Sequence, residues 1–181
     1  MVVREKYLNE IRGFYDSDLI KIITGVRRCG KSVILEQIMS EIHQKSDNCV
    51  YLDFDNRAVT AAIQSWKDIT DYVEENRKSG LCYVFLDEIQ EIDDWPLACR
   101  SLRCEECSVF ITGSNSKLLS KEFTKELSGR YVSFQIRPFV YKNSSYTHQS
   151  WEKQFCRQII SFGADFRSGL NLIMKAICAV I

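Results

Sequence analysis

Residues 25–32 read Gly25-Val26-Arg27-Arg28-Cys29-Gly30-Lys31-Ser32, the spacing G-x-x-x-x-G-K-S. Two glycines let the backbone turn its N–H groups inward, and the lysine and serine place an ammonium and a hydroxyl beside them. Such a turn works only between an extended strand and the first turn of a helix, whose N-terminus carries partial positive charge. Both neighbours are present: residues 21–24 form a short apolar run, and residues 33–38 carry apolar side chains at helical spacing. The stretch from Gly25 through Val33 is therefore read as a phosphate cradle. Lys31 reaches the outer phosphates of a nucleotide, and the Ser32 hydroxyl ligates Mg²⁺.

Residues 50–55, 82–87, 109–112 and 131–136 complete a set of five β-type runs. Several are continuously apolar, the pattern of strands covered on both faces in a parallel sheet. Spacing predicts helices over residues 31–44, 58–78, 95–103 and 116–127. Ile63, Trp66, Ile69, Tyr72 and Val73 fall on the inward side of the second. Strand–helix alternation of this kind implies right-handed crossovers and a three-layer α/β/α sandwich. The cradle then lies at the carboxyl ends of the strands.

The run at 82–87 ends in Asp87, followed by Glu88. Beside a phosphate cradle, Asp87 holds Mg²⁺ opposite Ser32, while Glu88 orients and deprotonates an attacking water. Without the cradle the same acids are a solvated turn, since acids commonly follow strands. The run at 109–112 leads into Gly113-Ser114-Asn115-Ser116. There Asn115, or Ser114 beside it, contacts the γ-phosphate or the lytic water, and Ser114, Asn115 or Ser116 also suits the N-cap of the next helix. Arg130 follows Gly129, a natural helix stop. It either reaches a neighbouring subunit's γ-phosphate or lines an exposed edge.

Twenty-four basic and 24 acidic residues cancel, which leaves no global electrostatic footprint for nucleic acid or an anionic membrane. Eight cysteines would suit an exported disulfide scaffold. The amino end has no apolar signal core, so reduced thiols and a cytoplasmic location are expected. Cys99, Cys104 and Cys107 have the spacing of three iron–sulfur ligands but no fourth, and small core hydrophobes are the expectation. Cys29, among inward-facing amides beside Lys31, is expected to be easily oxidised or alkylated. His43 and His148 are read as surface residues. Tyr7, Trp66 and Trp95 are read as packing, with Tyr7 near a base pocket. The longest nearly apolar run, residues 170–181, is too short to span a bilayer.

The segments GVRRCGKS, YLDFD, VFLDEIQEIDDWP, FITGSNSKLLS and ELSGRYVSFQIRPF occur in that order within residues 4–139. Together they resemble the bacterial and archaeal AAA-type ATPases that pair this domain with a C-terminal domain of unknown function. The resemblance implies an AAA+ P-loop NTPase core with a parallel five-stranded sheet in the order 5-1-4-3-2. It also implies Walker A at residues 25–32, Walker B at Asp87 and Glu88, sensor 1 at Ser114 or Asn115, and Arg130 as an arginine finger. Residues 1–139 then form the nucleotide-binding domain. After Phe139 the pattern stops, and residues 140–181 read as a divergent or truncated tail with no sensor 2 arginine. The expectation is ATP binding with Mg²⁺ and hydrolysis, in a homo-oligomer suggested by Arg130, acting on an unidentified protein target. No membrane or nucleic-acid partner is expected. A nucleotide-binding switch or vestigial fragment without turnover is the alternative. A small-molecule kinase is disfavoured by the Asp87–Glu88 pair, because an activated water would compete with any acceptor hydroxyl.

Overall fold

In a computed structural model, residues 2–114, 118 and 127–138 are described. Five strands, β1 Ile20–Gly25, β2 Cys49–Asp53, β3 Cys82–Asp87, β4 Cys107–Ser114 and β5 Tyr131–Ile136, form one sheet. Its order is β2-β3-β4-β1-β5, which read from the other edge is the expected 5-1-4-3-2. All four pairings are parallel. The helices are α1 Glu5–Arg12, α2 Lys31–Ile42, α3 Arg57–Ala62, α4 Trp66–Asn76 and α5 Trp95–Cys104, with a 3₁₀ turn at Ile89–Glu91.

The unbroken apolar strands are explained by two cores, one on each face. Side chains alternate across a strand, so β3 sends Val84 and Leu86 into one core with Ile69, Val73, Ala98 and Leu102 of α4 and α5. Tyr83 and Phe85 enter the other, against Leu8 and Ile11 of α1 and Ile34, Leu35 and Ile38 of α2. All six residues of β1 and of β3 are buried. Phe85 stacks on Phe110 at 4.9 Å between ring centroids, tying β3 to β4 on the α1/α2 face.

Three expectations change. The helix predicted over 58–78 is two helices, because Ser65 starts a new one. Its side chain accepts from the Asp68 N–H while the Asp68 carboxylate accepts from the Ser65 N–H, a capping box. Tyr72, assigned to the inward side, is exposed, whereas Ile63, Ile69 and Val73 are buried. An additional helix, α1, precedes β1. Its Arg12 bonds both carboxylate oxygens of Glu41 on α2, at 2.9 and 2.7 Å, and Tyr15 donates to the same group at 2.9 Å. The helix expected over 116–127 and the tail at 140–181 lie outside the described residues, apart from Leu118 and Leu127. His43 is exposed, as expected; His148 lies outside the described residues.

At the amino-terminal ends of the strands, Lys21 is fully buried. Its ammonium donates to the Ser17 carbonyl at 2.7 Å and to Ser108 Oγ at 2.8 Å. It also lies 4.8 Å from the Phe110 ring centroid. Burial lowers this ammonium to about 8, against the opposing influence of Asp16 and Asp18. Among the described residues, no helix is long and apolar enough to cross a membrane.

Candidate phosphate-binding site

The site begins where β1 ends. Gly25 pairs in register with Ile136 of β5 on one side and Ser114 of β4 on the other, so the tips of three strands meet there. A Cβ on Gly25 would lie 2.5 Å from the Ile136 carbonyl oxygen and 2.6 Å from Cys29 Sγ. Only glycine lets the loop fold this tightly over the sheet. Arg28 and Gly30 both have left-handed backbone, at φ 64° and 94°, which re-aims the chain before α2. Val26, Arg27 and Arg28 are exposed, while Ser32 and Val33 are half-buried on the first turn of α2.

Two features of the loop differ from what its spacing suggested. Cys29 is 3% exposed and belongs to the α1/α2 core, so its thiol is packed behind the cradle. The expected easy alkylation is thereby corrected: a reagent must first open the loop. The loop also leans on a residue that sequence spacing does not connect with it. Arg4, just before α1, donates to the Cys29 carbonyl at 2.8 Å and to the Arg137 carbonyl at 2.6 Å. Its guanidinium stands 4.6 Å from the Tyr7 ring centroid, and the Tyr7 hydroxyl accepts from the Arg137 N–H at 3.2 Å. Arg4 thus ties the cradle to the exit of β5.

Lys31 is buried, and its Nζ lies 3.1 Å from Glu88 Oε1. The other carboxylate oxygen of Glu88 accepts from the Gln90 side-chain amide at 2.6 Å. Glu88 itself has left-handed backbone, at φ 53°. Its N–H is held by Thr112 Oγ1 at 2.9 Å. Asp87, 3% exposed, accepts from the same Thr112 hydroxyl through Oδ1 and from the Tyr51 hydroxyl through Oδ2 at 3.2 Å. Burial first, then the nearby Asp87 charge, pushes the Tyr51 hydroxyl well above its ordinary range, so it remains a donor. Asp55 on the rim is raised by burial and then by Glu88 and Asp53, with Arg27 opposing.

These contacts bring Lys31, Asp87 and Glu88 together at the carboxyl ends of β1 and β3. The donor set fits Mg²⁺, which prefers hard oxygen ligands such as a serine hydroxyl and a carboxylate. The hydrogen bonds to Asp87 come from neutral hydroxyls, which leave its charge available to a cation. Cys99 and Cys107 are buried and Cys104 is exposed, and among the described residues no cluster of His, Cys, Asp or Glu is disposed to hold a metal. Ser114 ends β4 beside Gly25; Asn115 lies outside the described residues.

Arg130 is exposed, and its carbonyl accepts from the Ile20 N–H at 3.0 Å. That places it at the start of β1, the end opposite the cradle. Five strand steps separate the two, about 16 Å, farther than an arginine side chain extends. Spacing alone did not point to Arg4, Tyr51, Gln90 or Thr112. Of these, only Thr112 carried a signal: a polar residue at the end of an otherwise apolar central strand.

The description "AAA domain" belongs to a family whose profile matches residues 17–144. An uncharacterized protein of Haemophilus influenzae is 38% identical over 148 residues, covering 78% of this chain and 37% of the relative. A second, from Methanocaldococcus jannaschii, is 39% identical over 126 residues, covering 68% of this chain and 27% of the relative. The chain therefore spans well under half the length of both. Among solved structures, Hsp104 of S. cerevisiae in its extended casein complex superposes with a TM-score of 0.54 at 16% identity. That match covers 78% of this chain and 28% of Hsp104.

Proposed function

Because the chain belongs to the AAA domain family, we propose that it binds Mg²⁺·ATP at the loop between β1 and α2 and hydrolyses it. The observation that carries this reading is the convergence on Lys31. A buried ammonium follows a glycine-built loop at a helix N-terminus and lies 3.1 Å from the acid that would activate water. The inward amides of Gly25 to Val33 and the α2 N-terminus would bind the phosphate chain. Lys31 would leave Glu88 for the β- and γ-phosphates, exchanging one anion for another.

Glu88 is then free to accept the proton of a water aligned with the γ-phosphate. Ser32 and Asp87 would hold the metal. The chemistry supplied there would be positive charge set against that of the phosphates. Asn115, with Ser114 beside it, is assigned to sensing the γ-phosphate. Arg130 is too far from its own cradle to serve it, which favours action on a neighbouring copy in a head-to-tail homo-oligomer. The activity would be directed at a protein target, in the cytoplasm, from a core formed by residues 1–139.

Calorimetric titration with Mg²⁺·ATP, paired with phosphate release, tests this reading. Lys31→Ala should weaken binding by about a hundredfold or more, the usual scale for removing a desolvated charge partner. Glu88→Gln should retain binding and lower turnover by about 10²- to 10³-fold. Binding without turnover in the unmodified chain would identify a nucleotide-dependent switch instead. No heat at all would remove the assignment.

A further inference from the structure

Glu88 is held by two partners that differ in kind. Lys31 must leave to meet the phosphates; Gln90 has no such competing task. Its amide donates to Glu88 Oε2 at 2.6 Å. The orientation of that amide is fixed by charge, since turning its carbonyl toward a carboxylate would oppose two acceptors. The amide oxygen, Gln90 Oε1, is buried and has no hydrogen-bond partner among the described residues. Native folds seldom keep such an atom without a reason.

The neighbouring strand is shaped around it. A Cβ on Gly113 would fall 2.0 Å from Gln90 Oε1 and 2.7 Å from Leu118 Cδ1. Gly113 does not have positive φ, so it is space and not backbone conformation that disfavours a side chain there: Gln90 and Leu118 would have to shift. Hydrogen bond, orphaned oxygen and glycine-sized slot all concern one side chain. From them we infer that Gln90 is a positioning residue for Glu88. It anchors Oε2 after Lys31 departs, which leaves Oε1 as the atom that receives the proton from water.

This inference rests on the hydrolase reading above and extends it. In the loaded site a carboxylate without Gln90 would rotate about its terminal torsion, which is broad in glutamate. Turnover would fall while nucleotide affinity stayed put, because Gln90 acts on the base and not on the phosphates.

The test uses the full chain, with steady-state phosphate release and calorimetric Mg²⁺·ATP binding measured side by side. Gln90→Met keeps the length and removes the donor. It should lower kcat by about tenfold, a fraction of what a general base contributes, with Kd within about twofold. Gln90→Glu sets a like charge against Glu88 and should lower kcat further. In a Glu88→Gln background, adding Gln90→Met should change the residual rate by less than about twofold, since groups acting as a unit are not additive. An unchanged kcat in Gln90→Met overturns the inference and leaves the hydrolase reading standing. A Kd that weakens in step with kcat, or a full tenfold loss in the Glu88→Gln background, assigns Gln90 to general structure and also overturns it. An unmodified chain that binds Mg²⁺·ATP but releases no phosphate overturns both.

Discussion

Thr112 shows how much one hydroxyl can organise. It is fully buried, donates to Asp87 Oδ1 and accepts from the Glu88 N–H. One side chain on β4 therefore touches both acids of the site, Asp87 at its carboxylate and Glu88 at its backbone. Thr112→Val preserves the shape and strands two polar groups. Leaving buried hydrogen-bonding groups unpaired costs about 1–3 kcal/mol, so the unfolding free energy from urea titration should fall by that amount. Its Mg²⁺·ATP affinity should also drop as Asp87 loses its orientation. The meeting of Lys31 with the Asp87–Glu88 pair was legible in the sequence because their spacing along the chain is itself the motif. Arg4 and Gln90 were not. Arg4 meets Cys29 across 25 positions, and nothing in a linear pattern announces a contact made by folding.

At the scale of elements, strands were read well because burial on both faces demands unbroken apolar runs. β3 and β5 match expectation to the residue, and β1, β2 and β4 to within two residues at either end. Helices were read less well wherever a local side-chain bond overrides apolar spacing. Ser65 and Asp68 carry the S-x-x-D signature of a helix start, yet the surrounding apolar periodicity runs on through it. Ser65→Ala removes the cap and should cost about 1 kcal/mol in thermal or urea unfolding. The loss should be local to α4, appearing as faster amide exchange in its first turn. α1 is short, and its place is set by Arg12 and Tyr15 converging on Glu41 of α2, a tertiary contact invisible to periodicity.

For the molecule as a whole, the order of strands places the cradle at one end of the sheet and a buried ammonium, Lys21, at the other. The folded state releases the Lys21 proton near pH 8, while an unfolded lysine holds it to about 10.4. Between these values the unfolded chain binds more protons, so the Lys21 contribution to stability rises with pH. Over the full window this amounts to roughly 3 kcal/mol by linkage. Buried thiols such as Cys99 and hydroxyls such as Tyr15 are pushed up and work in the opposite sense at high pH. The difference between the unmodified chain and Lys21→Met, measured by urea unfolding at pH 7.5 and pH 10, isolates the lysine. The unmodified chain should gain stability relative to the variant as pH rises. A constant difference would mean that Lys21 keeps an ordinary affinity for its proton.

The guanidinium of Arg4 is a rivet through three layers of chain history: the opening segment, the turn after the first strand, and the departure from the last. Fusions or proteolytic trimming at the amino end are therefore not neutral handling steps. Removing those few residues would loosen the turn after the first strand from behind, and on the function proposed above a preparation so altered would report weak nucleotide affinity with every motif residue intact.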